Sequence, residues 1–277
     1  MRIQEFQCFG EQPGEGNPAL VVEEGNSNPG WRRALARERN LTCVFVDPGD
    51  APGVAAVLDF VYPHMRSPLC LHATLAAAHL LFERHGLDAP LTVKTAMHGQ
   101  LLLLSRAGGH AGEDGNESAG ENIFVRLARQ ATPPLELDLA LPARLLAAPD
   151  LVFASAPRLA SVGSPKLLLE VADLATLYAL KPDLALIQVW GKNAGVNGCY
   201  VWCRTGDGEV EGRNFNHLEP MVEDSATGVA AGALTLALGH GLVLRQGRAT
   251  GQSCLIRTEL DGDSVLVGGL VSRVPGE

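Results

Sequence analysis

Residues 73–78, Ala-Thr-Leu-Ala-Ala-Ala, and residues 226–231, Ala-Thr-Gly-Val-Ala-Ala, are two copies of one short pattern about half the chain apart. Each copy opens a run that is apolar almost all round, and a helix of that kind has to be enclosed on every side. Each also follows a group able to move a proton. His72 stands directly before the first Ala-Thr pair, and Asp224 stands before Ser225-Ala226-Thr227. A repeat of this kind predicts two similar halves, each bringing a titratable group to the start of an apolar helix at a shared site. Alanine-rich helices also match one another by chance, so the flanking residues have to decide.

The length of 277 residues suits two domains. With 46% hydrophobic residues the chain can enclose such helices, and a net charge of −9 argues against a nucleic acid or an anionic membrane as partner. The longest apolar stretches, around 75–82 and 229–238, are too short to span a bilayer. Met1-Arg2-Ile3-Gln4-Glu5-Phe6 reads as an alternating strand rather than a signal-peptide core, so the expectation is a soluble, cytoplasmic protein. Cys8, Cys43, Cys70, Cys199, Cys203 and Cys254 show no CxxC and no pairing with His at ligand spacing. The prediction is no disulfide, no metal and free thiols, with Cys199 and Cys203 packed on one face of a strand.

Short apolar runs bounded by Gly, Pro or Asn predict strands at 2–6, 19–23, 43–47, 57–62, 91–95, 100–105 and 123–127. Helices are predicted at 31–38, after Asn28-Pro29, and at 72–85, ending at Gly86; the polar run 108–122 reads as an exposed loop. The second half predicts helices at 139–147, 173–180 and 225–240, with strands at 151–155, 166–171, 184–190, 198–204, 209–215, 255–260 and 264–274. The expected fold class is therefore α+β. Two pseudo-symmetric domains, 1–130 and 131–277, are each expected to curve a barrel-like mixed sheet around a central helix. The final strand, 264–277, is a candidate to pack with the first domain.

The unpaired N–H groups of a helix's first turn carry partial positive charge. Two such helix starts facing one cleft would favour a carboxylate or an enolate. Thr74 and Thr227 can cap or hydrogen-bond there. Gly228 and Gly232 share a helix face, where they permit close approach by a ligand or, equally, tight packing.

Gly16-Asn17-Pro18-Ala19-Leu20-Val21-Val22 and Leu69-Cys70-Leu71-His72-Ala73-Thr74-Leu75-Ala76-Ala77-Ala78-His79 resemble the GNP signature and the LCGHATLAAAH segment of phenazine-biosynthesis-type isomerases, a family that belongs with diaminopimelate epimerase and proline racemase. Gly212-Arg213-Asn214-Phe215 and Glu223-Asp224-Ser225-Ala226-Thr227-Gly228-Val229-Ala230-Ala231-Gly232 resemble its RxFxP…EDPATGSAAG segment. The resemblance implies an isomerase working without metal or organic cofactor, often as a homodimer, on a small carboxylate. It implies a site drawing on His72, Asp224, Asn17, Thr42, Cys70, Leu71, Ala73, Thr227, Gly228 and Val229.

This chain departs from the pattern at three of those positions. Thr42 stands where the family has its proton-moving glutamate, and a hydroxyl cannot act as general base near neutral pH. Cys43 is adjacent, but strand alternation turns it to the opposite face. Leu71 replaces a Gly and Val229 a Ser, so the pocket is expected to be smaller or less polar. His72 and Asp224 remain as the proton-moving pair. Cys70 is either a thiol at the position of the related epimerases' catalytic cysteine or a small buried hydrophobe. Two functions follow: an isomerase or epimerase shifting a proton next to a carboxylate, or a member with altered chemistry that binds a small molecule.

Overall fold

Among the residues that the computed structural model describes, 1–85, 89–106, 120–136, 138, 140–216 and 223–275, apolar alternation and helix caps set out fifteen strands and six α-helices. The described residues fall into two units, Met1–Arg126 with Gly268–Glu277, and Leu127–Val267. The first contains β1 (Arg2–Gly10), β2 (Asn17–Glu23), α1 (Pro29–Arg39), β3 (Thr42–Pro48), β4 (Ala56–Val61), β5 (Arg66–Ser67), α2 (Leu71–His85), β6 (Leu91–Thr95), β7 (Leu101–Arg106) and all but the last two residues of β8 (Glu121–Ala128). The second contains α3 (Leu141–Leu145), β9 (Arg158–Ala160), β10 (Lys166–Glu170), α4 (Leu174–Ala179), α5 (Leu184–Ala194), β11 (Cys199–Arg204), β12 (Glu209–Phe215), α6 (Gly228–Leu238), β13 (Leu242–Gln246) and β14 (Cys254–Asp261). The last strand, β15 (Ser264–Arg273), begins in the second unit and ends in the first.

The two units repeat one pairing pattern. In the first, β1–β2 is antiparallel, β2–β3 parallel, β3–β4 antiparallel, β4–β6 parallel and β6–β7 antiparallel. In the second, β9–β10, β10–β11, β11–β12, β12–β13 and β13–β14 follow the same alternation. A parallel pair needs a crossover. α1 and α2 supply the two crossovers of the first unit; α4 with α5, and then α6, supply those of the second. The α2 and α6 helices, which carry the doubled pattern, thus hold the same topological place. Both lie against their own sheets, α2 touching β1 to β4 and α6 touching β9, β10, β13 and β14. Leu75, Leu81 and Phe82 of α2, and Leu234 and Leu236 of α6, are buried. Each such side chain contributes roughly 1.5–3 kcal/mol.

Opposite sheet faces carry separate cores. In the first unit Leu20, Val22, Cys43, Phe45 and Val61 pack on Leu35 and Ala36 of α1. Cys43 accordingly takes the face away from Thr42, as alternation requires, and burial pushes its thiol up to about 11. In the second unit Cys199, Val201, Cys203 and Phe215 pack with Leu145, Leu177 and Ile187 from α3, α4 and α5. That places Cys199 and Cys203 in a plain apolar layer.

Several expectations need correction. Residues 184–190 are not a strand but the start of α5. Asp183 caps it by accepting from the Leu186 N–H at 2.9 Å, left-handed Gly195 closes it, and its buried residues Ile187 and Gly191 lie four apart. Residues 151–155 are not a strand, and only the Ala154 N–H reaches the sheet, donating to the Glu170 carbonyl at 2.8 Å. The edge strand is β9 instead, and β13 forms where no strand was predicted. The described part of the 139–147 helix is Leu141–Leu145. Of the polar run 108–122, residues 121 and 122 open β8, and 108–119 lie outside the described residues. Gly86 and the start of the 72–85 stop signal likewise lie outside them.

Candidate functional site

In the first unit Asn17, Cys70, Leu71, His72 and Ala73 come together at the N-terminus of α2. Asn17 opens β2 and Thr42 opens β3; Thr42 is buried, on the opposite face from Cys43. Thr74 fixes the first turn of α2: its N–H donates to the Cys70 carbonyl at 2.9 Å, and its hydroxyl donates to the same oxygen at 2.7 Å. His72 is 7% exposed. Its Nδ1 lies 3.4 Å from Cys70 Sγ and 3.5 Å from Asn17 Nδ2, and Tyr62 meets the ring edge-on. An amide NH2 facing Nδ1 favours the tautomer with its proton on Nε2. Burial lowers the imidazole pKa from 6.5 to about 4, so the ring is neutral at physiological pH. Leu71 and Ala73 are buried beside it. The thiol of Cys70 is thus a neighbour of the imidazole as well as a buried small side chain.

In the second unit the candidates gather before α6. Asp224 forms an isolated antiparallel bridge with Asn214 of β12. Thr227 sits at the N-cap position without a side-chain cap. Of the two roles expected for its hydroxyl, capping or hydrogen-bonding at the helix start, it takes the second: it donates to Asp224 Oδ2 at 2.6 Å and accepts from Gln246 Nε2 at 3.0 Å. Gln246 Nε2 also donates to the Asp224 carbonyl at 2.6 Å, while its Oε1 accepts from the Thr227 N–H at 3.3 Å and from Tyr200 at 3.2 Å. One carboxylate oxygen of Asp224 is therefore oriented by a ring of buried amide and hydroxyl groups. Glu223, the preceding residue, pairs bidentately with Arg213, whose Nη1 donates to the Leu177 and Leu180 carbonyls. That pair anchors the segment leading into Asp224. Gly228 is buried and Val229 half-buried at the start of α6. At Gly232 a Cβ would lie 2.8 Å from Val162 and 3.0 Å from Val267, so its reading as tight packing holds.

Three residues of this cluster carried no sequence signal: Gln246, Tyr200 and Lys166. Gly212, directly across from Trp202 on β11, makes room for one of them, because a Cβ there would press into the ring and hydroxyl of Tyr200. Tyr200 is fully buried and cannot swing aside. Gly212→Ala is expected to cost about 2 kcal/mol through overpacking and to break the Tyr200–Gln246 hydrogen bond. Urea unfolding of the variant measures the cost. A loss below a few tenths would mean that the ring moves freely.

Among the described residues no group of three or more His, Cys, Asp or Glu could hold a metal ion, and no helix is long and apolar enough to cross a membrane. His79 is half-buried, edge-on to Phe6 and within 3.3 Å of Glu83. His110 and His217 lie outside the described residues.

The sequence profile of the family described as "Phenazine biosynthesis-like protein" matches residues 6–270. The chain belongs to that family. Curated relatives include the "Uncharacterized isomerase YddE" of Escherichia coli K12, 27% identical over 276 residues that cover 92% of this chain and 88% of the relative. An "Uncharacterized isomerase" of Deinococcus radiodurans is 29% identical over 263 residues, covering 90% and 80%. A solved structure described as a predicted epimerase from Pseudomonas aeruginosa superposes with a TM-score of 0.79 at 25% identity, covering 99% of this chain and 97% of that one. The fold extends further, to a hydroxyproline epimerase from Agrobacterium vitis with a TM-score of 0.59 at 13% identity. Family members named in these comparisons are isomerases and epimerases, and the α+β fold expected from the doubled pattern is theirs.

Proposed function

We propose that this protein is an isomerase or epimerase that moves a proton next to the carboxylate of a small metabolite, with His72 and Asp224 as the proton-moving groups. The observation that carries this reading is His72. A neutral, buried imidazole at a helix start, with Asn17 and Cys70 beside its Nδ1, can accept a proton from carbon and return it to another carbon. Such a step needs no oxidant and no co-substrate. The partial positive charge of a helix's first turn would stabilise the carboxylate and the enolate formed when the proton leaves. Leu71 and Val229 place apolar bulk at both helix starts, which suits a substrate with an apolar flank to its carboxylate. No metal or organic cofactor is required by this chemistry, and a homodimer in the cytoplasm is the accompanying expectation from the family resemblance.

Thr42 favours a second reading. It stands where the resemblance places a glutamate, and its hydroxyl has no basicity at neutral pH. On that reading the protein binds a small carboxylate without turning it over.

Incubation in D2O with a panel of cyclic and amino carboxylates separates the two. Exchange of C–H for C–D that disappears in His72→Ala and Asp224→Asn is the expected result. Exchange unchanged in both variants would reject these residues. Ligand-dependent thermal shifts without exchange on any compound would establish the binding protein instead.

A further inference from the structure

Lys166 opens β10, yet its side chain is 1% exposed. An ammonium can only donate, and its Nζ donates to the Asn197 carbonyl at 2.7 Å and to Asn214 Oδ1 at 2.8 Å. The second bond decides which way the Asn214 amide faces. Turned over, the amide would set an NH2 group against an NH3⁺ group, two donors in contact. With Oδ1 held by the cation, Nδ2 points away from it. Asn214 is itself 1% exposed, and its Nδ2 is a buried donor with no acceptor among the described residues. Buried amide donors are nearly always paired, so a fixed and unfilled one points to a group that arrives from outside. The same residue is joined to Asp224 by a backbone bridge.

The charges around this donor select what arrives. Lys166 is a buried cation, held down to a pKa of about 8 by desolvation, with Asp224 opposing the shift. The first turn of α6 adds partial positive charge close to Asp224. The unfilled N–H needs an acceptor rather than another donor and bonds most strongly to an anionic oxygen, and the Lys166 ammonium offsets the Asp224 carboxylate that would otherwise repel one.

We propose that Asn214 is a substrate-binding residue, its Nδ2–H donating to an anionic oxygen of a carboxylate substrate or of the enolate made from it, and that Lys166 is the positioning residue that aims it. This rests on the reading of Asp224 as a proton-moving group, and it adds the contact that recognises the substrate's charge. Nothing in the sequence motifs singles Asn214 out: it stands at the variable position of the Arg-x-Phe segment.

The test reads the amide itself. The full chain is labelled with ¹⁵N-asparagine, and the Asn214 side-chain signal is identified by its absence in Asn214→Asp. That variant keeps an oxygen for Lys166 while turning the donor into an anion. Benzoate and every member of the carboxylate panel are then titrated, with benzamide as the uncharged control. The expected result is a downfield shift of the Asn214 Nδ2–H with at least one carboxylate and none with benzamide. Binding of that carboxylate should weaken at least tenfold in Asn214→Asp and also in Lys166→Met, with melting temperatures of the variants recorded to confirm folding. If that carboxylate exchanges its C–H, Asn214→Asp should raise KM more than it lowers kcat, which a merely structural residue would not do. An Asn214 signal that moves with no carboxylate overturns the proposal, as does one whose only contact is a trapped internal water. The two readings fail separately. Exchange with a silent Asn214 leaves the isomerase standing without this contact, whereas a responsive Asn214 without exchange leaves the contact in a binding protein.

Discussion

Arg32→Met is expected to destabilise the protein by about 3 kcal/mol or more, as the loss of one partner from a buried charge network usually does. Arg32 lies in the first turns of α1, where an arginine is ordinarily solvated, yet its side chain is 5% exposed. Its Nη1 donates to Asp59 at 2.8 Å, its Nη2 to both oxygens of Asp47 at 2.7 and 2.9 Å, and its Nε to the Asn26 carbonyl at 3.0 Å. The guanidinium also lies over the Phe45 ring, 4.7 Å from its centroid. Asp59 is equally buried, and Arg66 bonds its other oxygen at 2.5 Å. Removing Arg32 therefore leaves a half-paired carboxylate inside the unit and loosens α1 from β3 and β4. Arg66 remains to carry part of the charge, which sets the lower end of the range. The double variant Arg32→Met with Asp59→Leu removes the stranded carboxylate, and most of the lost stability should return. Urea unfolding of both variants checks this. A single variant within half a kcal/mol of the wild type, or a double variant worse than the single, would show that the network does not hold α1.

Arg32 also marks the limit of what the sequence discloses. The doubled Ala-Thr-x-x-Ala-Ala pattern was legible because its signal is local: uniform small apolar residues demand enclosure, whatever surrounds them. It located α2 and α6 and foretold two halves of similar layout. Strand alternation was local too, and it turned Cys43 away from Thr42 correctly. Residues 184–190 misled for a local reason: Leu184-Ala-Leu-Ile-Gln-Val-Trp190 reads as a strand by composition, and the deciding caps, Asp183 and Gly195, lie at its ends. Arg32, Lys166, Asn214 and Gln246 were illegible for a different reason. Each is an ordinary polar residue in its own segment, and its meaning arises only when strands distant in sequence bring it to a partner. Lys166 and Asn214 are 48 positions apart, and Thr227 and Gln246 are 19 apart. The family motifs pointed to the helix starts, to Asp224 and to Thr227, but not to Gln246 and Tyr200, which complete the polar ring.

Part of the effect of acid on this protein should come through His72. In the folded protein its imidazole titrates near 4, because burial withholds water from the charged form; in the unfolded chain it titrates near its ordinary 6.5. Between those values the unfolded chain binds a proton that the folded protein refuses, so stability falls as pH falls through that window. Above about pH 7 and below about pH 4 this residue adds no slope. Each pKa unit corresponds to about 1.4 kcal/mol, so the total from His72 is about 3 kcal/mol. His72→Gln keeps a polar side chain of similar size and does not titrate. The difference in unfolding free energy between wild type and variant, followed by urea denaturation from pH 7 to pH 4, should therefore change by about 3 kcal/mol in the variant's favour. Curves that stay parallel would mean that the ring is solvated and its pKa ordinary. The same titration carries a kinetic consequence for the proposed proton transfer. A His72 that is already neutral at pH 5 cannot give kcat/KM an inflection near 6.5. An acid limb centred there in the wild type, lost in His72→Gln, would show an imidazole that meets water, and the proton-accepting role would then need a different environment from the one seen here.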